Sequence, residues 1–150
     1  MPPRTSRHTT KSSQETQKIA SDLLKKLKHK GVICLYGGLG AGKTTFTKGL
    51  SDSLGISEMR IKSPTFTYIR EYETPSHKIF HVDFYRLEGK EHAAVAMLEE
   101  MTEREPDLII IEWAEHLGKH LPEKRTDVHI HRKSDEHRDI HIQHHGLESH

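Results

Sequence analysis

The first half of the chain alternates between apolar runs and spaced apolar positions, and these patterns predict alternating strands and helices. An amphipathic helix is predicted to begin at Ser12, which forms a capping-box pattern with Glu15, and to stop at Gly31. Residues 32–36 are continuously apolar, as in a strand buried on both faces. Residues 43–54 carry an apolar residue every fourth position, which predicts a helix with one buried stripe. Gly49 inside that stripe predicts a close approach of another element.

The second half predicts two hairpins separated by a helix and a buried strand. Alternating apolar positions indicate the strands, and turn residues separate them. The predicted elements are strands 67–72 and 78–86, helix 90–104, strand 108–111 ending in Glu112, and strands 126–133 and 138–144. We predict that both strand pairs are antiparallel hairpins. In the last pair, valine and isoleucine lie on one face and histidines on the other.

Composition narrows the class of protein. The 150 residues suit one domain, predicted over residues 12–145, preceded by a flexible N-terminal segment over residues 1–11. The net charge of +1 gives no bulk electrostatic argument for nucleic-acid binding. Cys34 is the one cysteine and lies in an apolar run, which favours a reducing compartment over a disulfide framework. With no run long enough to span a bilayer and no apolar leader, we expect a cytoplasmic protein.

The segment 37–44 carries the most specific chemistry. It reads Gly-Gly-Leu-Gly-Ala-Gly-Lys-Thr and matches the phosphate-binding loop pattern, in which a strand leads in and a helix leads out. Its glycines allow backbone N–H groups to point at phosphates, and the helix adds its positive end. Lys43 is expected to reach the β- and γ-phosphates and the Thr44 hydroxyl to hold Mg²⁺. The pattern therefore predicts a nucleotide site.

Two carboxylates follow predicted strands and suit the same chemistry. Asp83 lies beside aromatic residues near the end of its strand, where a charge needs a metal, a water network or a basic partner. Glu112 ends a buried strand, a position next to the phosphate loop where an acid holds Mg²⁺ or orients water. The alternative for Asp83 is a salt bridge, for instance with Arg86. The histidines near the C-terminus also suggest a metal site, but solvent-facing histidines are the favoured interpretation.

Four motifs together resemble the bacterial TsaE (YjeE) family, small P-loop ATPases needed to make threonylcarbamoyladenosine in tRNAs that read codons beginning with A. They are Leu-Tyr-Gly-x-Leu-Gly-Ala-Gly-Lys-Thr-Thr-Phe at 35–46, Ser-Pro-Thr-Phe at 63–66, His-x-Asp-x-Tyr-Arg-Leu at 81–87 and Ile-Glu-Trp-Ala-Glu at 111–115. The similarity extends over about residues 12–143. It implies a P-loop NTPase-like three-layer α/β sandwich with a mixed parallel and antiparallel sheet.

The resemblance also implies roles for matched residues. Thr65 would act as a switch near the γ-phosphate, Asp83 and Glu112 would be the acidic pair at Mg²⁺ and water, and Trp113 would flank the site. The ATP phosphates would be bound by Gly37, Gly38, Leu39, Gly40, Ala41, Gly42, Lys43, Thr44 and Thr45. The implied catalytic residues are Lys43, Asp83 and Glu112, and the implied Mg²⁺ ligands are Thr44, Asp83 and Glu112.

The implied activity is slow, Mg²⁺-dependent ATP hydrolysis stimulated by partner proteins. The partners would be TsaD and TsaB, which form a threonylcarbamoyl transfer complex. ATP hydrolysis would reset that complex, and tRNA would be involved indirectly. Two positions depart from the common family pattern: Gly38, where the family often has an acid, and Ala114, where it often has proline.

Other functions remain open at this point. A small-molecule kinase would transfer the phosphoryl group to a metabolite, and it would need a lid that the sequence after residue 113 does not suggest. A non-catalytic nucleotide-sensing adaptor would tolerate loss of hydrolysis. Direct tRNA binding through lysines at 25–30 gains little from the net charge. Arg70, Arg86 and Arg104 are available as arginine fingers, but the sequence does not choose between them.

Overall fold

A computed structural model describes residues 4–38, 41–56 and 69–146. Seven strands and three α-helices are described in these ranges, and two 3₁₀ segments, Tyr85–Leu87 and Ala114–His120, connect some of them. The strands are β1 (Arg4–Thr10), β2 (Gly31–Tyr36), β3 (Ile69–Glu73), β4 (Lys78–Asp83), β5 (Leu108–Glu112), β6 (Arg125–Arg132) and β7 (Arg138–His145). The helices are α1 (Ser13–Lys26), α2 (Lys43–Ser53) and α3 (Glu91–Glu103).

All seven strands form one mixed sheet in the order β1-β7-β6-β2-β5-β4-β3. The four central strands, β6, β2, β5 and β4, run parallel. Both predicted hairpins, β3–β4 and β6–β7, are present and antiparallel, and β1 pairs antiparallel with β7. The predicted mixed α/β sandwich is therefore confirmed, and the carboxyl ends of four parallel strands meet at one edge.

Helices cover the sheet on both faces and make three layers. On one face, α1 and α2 bury Leu24, Phe46 and Leu50 against sheet residues such as Ile33 and Ile110. On the other face, α3 and the 3₁₀ segments cover a second apolar cluster. It includes Cys34, Phe80, Val82, Ile109, Ile111, Leu98 and Met101. Among the described residues, no helix is both long and apolar enough to cross a membrane.

Gly49 allows the close approach of α1 and α2 that its position predicts. A Cβ atom built on Gly49 would lie 2.7 Å from both Cα and the carbonyl oxygen of Gln17 and 3.0 Å from Cβ of Ala20. Real Cβ atoms do not come this near to backbone atoms, so a side chain at this position would push the helices apart. The helix after the phosphate loop is thus held closely against α1.

The prediction of a flexible segment over residues 1–11 is wrong for residues 4–10, which form the edge strand β1. The strand has no apolar side chain to bury, and composition therefore favoured disorder. It is held instead by backbone pairing with β7 over seven register positions. The Thr9 hydroxyl donates to Asp139 at 3.0 Å, and the hydroxyls of Thr10 and Thr16 lie 2.7 Å apart in a buried contact. The extent of the single domain over 12–145 stays a prediction.

Helix α1 begins as predicted but ends earlier. The Glu15 N–H donates to the Ser12 hydroxyl at 3.1 Å, which is the cap that the sequence predicts. At the other end, Leu27 caps the helix, and Lys28 and His29 adopt positive φ angles of 57° and 59°. The turn is therefore completed before Gly31, which begins β2 instead of ending the helix.

Strand β4 also ends earlier than predicted. The Asp83 carboxylate accepts a hydrogen bond from the Tyr85 N–H at 2.9 Å. Asp83 thereby turns the chain out of the sheet into the 3₁₀ segment at Tyr85–Leu87, where the Leu87 N–H donates to the Phe84 carbonyl. The aromatic residues after Asp83 thus belong to a turn beside the site and not to the strand.

Candidate nucleotide-binding site

The phosphate loop joins the carboxyl end of β2 to the amino end of α2. A Cβ atom on Gly37 would lie 2.7 Å from the Ile130 carbonyl oxygen, so the loop leaves β2 packed directly against the backbone of β6. Gly42 has φ of 111°, a conformation that residues with side chains rarely adopt. The loop therefore needs glycine at these two positions. Leu39 and Gly40 lie outside the described residues.

The amino end of α2 suits an anion. Gly42 occupies the N-cap position and supplies no side-chain hydrogen bond, and the first turn contains no acidic residue. The first N–H groups of a helix lack partners within it and carry partial positive charge, which favours phosphate. Thr44 is exposed and Thr45 partly exposed in this same turn. The turn therefore presents both backbone donors and hydroxyls.

Lys43 and Trp113 contact each other beside the loop. Lys43 is only 8% exposed, and its ammonium lies 4.3 Å from the centroid of the Trp113 ring. Trp113 has a left-handed backbone conformation, with φ of 59°, directly after β5. Its ring packs on Tyr85 and is stacked against His116. Trp113 thus makes a cation–π contact with the ammonium of Lys43 at the amino end of α2.

The two predicted acids are neighbours at the carboxyl edge of the sheet. Asp83 on β4 and Glu112 on β5 are register partners in a parallel pair, and such strands lie about 4.8 Å apart. Asp83 is exposed, whereas the side chain of Glu112 is 15% exposed. The His81 Nε2 donates to Glu112 Oε2 at 2.8 Å, and the His81 side chain is 17% exposed. Asp83 therefore faces solvent while Glu112 is held in place.

Glu112 stays ionised despite its burial. Burial alone would raise the pKa of this carboxyl, but the hydrogen bond and charge of His81 outweigh that effect, with further contributions from Lys43 and Arg70. The net result is a pKa below the ordinary value for glutamate. Glu112 is therefore a carboxylate at neutral pH that can hold a cation or orient a water molecule.

A cavity of about 810 Å³ joins the amino end of α2 to the carboxyl ends of β4 and β5. Its lining includes Thr44, Asp83 and Glu112, three residues that the sequence predicts at one site. The structure thus brings these side chains together, with Lys43 near enough to influence the charge of Glu112. Thr65, the predicted switch residue, lies outside the described residues.

The structure also separates the three arginine candidates. Arg70 and Arg86 line the cavity. Arg104 does not line it, because its guanidinium donates to Glu71 at 2.7 Å and lies over the Phe80 ring on the other face of the sheet. Arg86 does not pair with Asp83 in any described contact, so the salt-bridge alternative for Asp83 finds no support in the described ranges.

Sequence reasoning missed His81 and Arg138 as residues of the site. His81 lies two positions before Asp83 on the same face of β4, so the alternation of the motif at 81–87 contained the necessary signal. No pattern in the sequence around Arg138 indicates its position, because its contact with the phosphate loop joins distant segments. A Cβ atom on Gly42 would lie 3.2 Å from the Nε of Arg138, and the Nη1 of Arg138 donates to carbonyl oxygens of the β6–β7 turn. Arg138 thus connects that turn to the phosphate loop.

Four histidines of β6 and β7 share one face of the hairpin and do not line the cavity: His129, His131, His141 and His145. His129 and His141 are register partners, and the His129 ring stacks on Tyr36 with centroids 4.6 Å apart. Within the described ranges, no group of three or more His, Cys, Asp or Glu side chains is placed to hold a metal ion. The arrangement therefore gives no support to a histidine metal site.

Comparison with known proteins identifies the family of this chain. The family model described as "Threonylcarbamoyl adenosine biosynthesis protein TsaE" matches residues 10–140. The chain belongs to the TsaE family. The match includes the phosphate loop, both acids and all of the sheet except most of β1 and most of β7.

The similarity to individual relatives covers most of this chain. A protein of Bacillus subtilis (strain 168) named tRNA threonylcarbamoyladenosine biosynthesis protein TsaE is 37% identical over 131 residues, 87% of this chain and 80% of the relative. A Rickettsia typhi protein of the same name is 37% identical over 114 residues, 76% of this chain and 77% of its own length. The crystal structure of Bacillus subtilis YdiB superposes with a TM-score of 0.70 at 31% identity, covering 97% of this chain and 89% of that one.

Proposed function

We propose that this TsaE-family protein binds ATP and Mg²⁺ at the phosphate loop and hydrolyses ATP slowly in the cytoplasm, in the service of tRNA threonylcarbamoyladenosine formation. One observation carries the proposal: a single cavity is lined by Thr44 of α2 and by the neighbouring carboxylates Asp83 and Glu112. This is the set of groups that phosphoryl transfer to water requires.

The residues present fit a nucleotide and its metal. The uncapped amino end of α2 and the glycine-dependent turn at Gly37 and Gly42 suit phosphate oxygens. Mg²⁺ is usually bound through one or two carboxylates together with phosphates and water, and it needs no cage made only of protein ligands. Thr44, Asp83 and Glu112 would hold it. Bound there, the ion would offset negative charge on the phosphates.

Each residue of the proposed site has its own task. Backbone N–H groups over residues 37–45 would bind the phosphates, and Lys43 would leave Trp113 to contact the β- and γ-phosphates. Glu112, kept ionised and fixed by His81, would orient the attacking water. Thr65 would respond to the γ-phosphate, and Trp113 would flank the bound nucleotide.

We further propose that TsaD and TsaB are the partners and that hydrolysis resets their threonylcarbamoyl transfer complex. An arginine that stabilises the transition state raises the rate of such hydrolysis by about three to five orders of magnitude. Arg70 and Arg86 line the cavity and are both exposed, so a partner surface could reach their guanidinium groups and hold one of them against the transition state. Slow activity alone and stimulation by the partner complex are the expected behaviour.

Reconstitution tests this proposal. Unmodified tRNA is incubated with TsaD, TsaB, threonylcarbamoyl donor and either wild type, Lys43→Ala or Glu112→Gln, and modified tRNA is counted per TsaD molecule. Both variants should stop after about one turnover, with hydrolysis lost. Multiple turnovers with Lys43→Ala would overturn the proposal. Full modification with Glu112→Gln, without hydrolysis, would show instead that nucleotide binding alone suffices, as in an adaptor.

A further inference from the structure

A second cavity lies at the edge of the sheet opposite the phosphate loop. It measures about 420 Å³ and is formed by the end of α1, the start of β2, the start of β1 and the segment leading into β6. The cavity and the phosphate loop are separated by the length of β2, about 17 Å for five residue steps. Both sites can therefore be occupied at once.

Five cationic side chains from three separate parts of the chain line this cavity, which we call the basic cleft. They are Arg4, Lys26, Lys28, Lys30 and Lys124. All five are exposed, and no carboxylate of the described residues lines the cleft. Arg125 lies there too, but its charge is offset by Asp127 at 3.0 Å. In the described ranges, none of the five lies within 4.0 Å of an acid.

Helix geometry explains only part of this concentration of charge. Lysines near the end of α1 suit the negative end of its dipole, and Lys26 is in that position. Arg4 and Lys124 come from β1 and the segment before β6, so the preference of the last turn of α1 for cations does not explain their presence. Close like charges repel each other, so the fold brings them together at a cost that a bound polyanion would remove.

His144 at the floor of the cleft shows the effect of the positive field. It is buried, and its Nδ1 lies 2.9 Å from the Thr126 hydroxyl. Burial lowers the pKa of His144, and the nearby charges of Lys26 and Arg4 lower it further. A negative ligand in the cleft would raise it again, which makes this ring a reporter of anion binding.

We propose that the basic cleft binds phosphodiester groups of an RNA backbone, and specifically of tRNA. Lysine and arginine side chains from several segments, without a backbone cradle, suit neutralisation of a chain of phosphates. A membrane surface fits less well, because Tyr85 is the one large apolar side chain exposed among the described residues and it lines the other cavity. The choice of tRNA over other RNA rests on the proposed function.

The test compares two variants that lose the same charge. The cleft variant is Lys26→Gln, Lys28→Gln and Lys124→Gln. The control variant is Lys11→Gln, Lys90→Gln and Lys119→Gln, three exposed lysines outside the cleft. Affinity for fluorescently labelled unmodified tRNA is measured by anisotropy from 0.05 to 0.5 M salt. All six side chains are exposed, so neither variant should lose its fold.

The expected result is a loss confined to the cleft variant. Each lysine–phosphate contact contributes about 0.7 to the slope of log affinity against log salt, so three contacts reduce the slope by about 2 and affinity at 0.1 M salt by about 100-fold. The control variant should bind as wild type does, and short RNA should raise the pKa of His144 measured by NMR. Equal loss in both variants, or no tRNA binding by wild type at 0.05 M salt, would overturn the proposal.

Two further arms separate the possible failures. If sodium tripolyphosphate binds in a cleft-dependent way while tRNA binding ignores the cleft, the site takes a small anion and the RNA assignment is wrong. ATP binding is measured on the same proteins. If wild type does not bind ATP, the phosphate-loop proposal is wrong. If wild type binds ATP but its tRNA binding does not depend on the cleft, only the cleft proposal is wrong.

Discussion

Replacing His81 with phenylalanine tests whether this residue holds Glu112 ready for chemistry. The substitution keeps an aromatic ring but removes the donor that lies 2.8 Å from Glu112 Oε2. The carboxylate is 15% exposed and would lose its short hydrogen bond. Hydrogen bonds to charged groups contribute about 1.5–3 kcal/mol to stability, so we expect a loss of that size at pH 7. For a chain of this length it corresponds to a fall in Tm of about 3–12 °C.

The effect should depend on pH with a definite sign. Because the pKa of Glu112 is lowered in the folded protein, its ionised form stabilises the fold above the unfolded pKa, and this stabilisation is lost as pH falls through the folded pKa. His81→Phe removes the largest influences that lower this pKa, while burial continues to raise it. The difference in stability between wild type and variant should therefore be largest near neutral pH and should shrink below the ordinary pKa of glutamate.

Urea denaturation of the purified proteins at a series of pH values measures this difference. His81→Gln is the matched control because its amide can still donate a hydrogen bond, and it should recover part of the lost stability. In the complete modification system, the pH–rate profile of ATP hydrolysis should move to higher pH in the phenylalanine variant. Equal stability of His81→Phe and wild type at pH 7 would mean that Glu112 does not depend on His81, and would refute the reasoning.

Three other outcomes follow from contacts already described. Gly49→Ala should destabilise the protein by about 1–3 kcal/mol in urea, although alanine favours helices, because its Cβ would meet the Gln17 backbone at 2.7 Å; a gain in stability would contradict the close packing. ATP with Mg²⁺ should change the emission of Trp113, the single tryptophan, and Lys43→Ala should abolish that response. Burial raises the pKa of Cys34 to about 12, so the native thiol should resist alkylation at pH 8 and react only in denaturant.

Much of the site could be predicted from the sequence because its chemistry is local. The phosphate loop, its lysine and its threonine lie in one continuous segment whose spacing is diagnostic. The pairing of Asp83 with Glu112 was also predictable in outline, since acids at the ends of parallel strands meet at one edge of a sheet. The structure adds the direct register between β4 and β5 that makes them neighbours.

The remaining features depend on contacts between distant segments. Alternation within β4 places His81 on the face of Asp83, but its contact with Glu112, diagonal across that register, depends on the pairing of β4 with β5. The role of Arg104, at the end of α3, depends on Glu71 of β3. Strand β1 has no apolar residue, so its order comes from the pre-existing edge of β7. Hydrophobic periodicity predicts which positions of one element are buried, but it does not predict which distant elements pair with each other.

The pairing of β1 with β7 has a consequence for how the chain folds. Thr9 and Asp139 are hydrogen-bonded across 130 positions of sequence, so β1 is made first and can dock only after the last strand exists. At synthesis rates of 5–20 residues per second, the segment waits roughly 6–26 s for its neighbour. Contacts of such long range form late, because the loop between them must close first. We therefore expect β1 to join the sheet last during folding and to exchange its amide hydrogens first in the native protein.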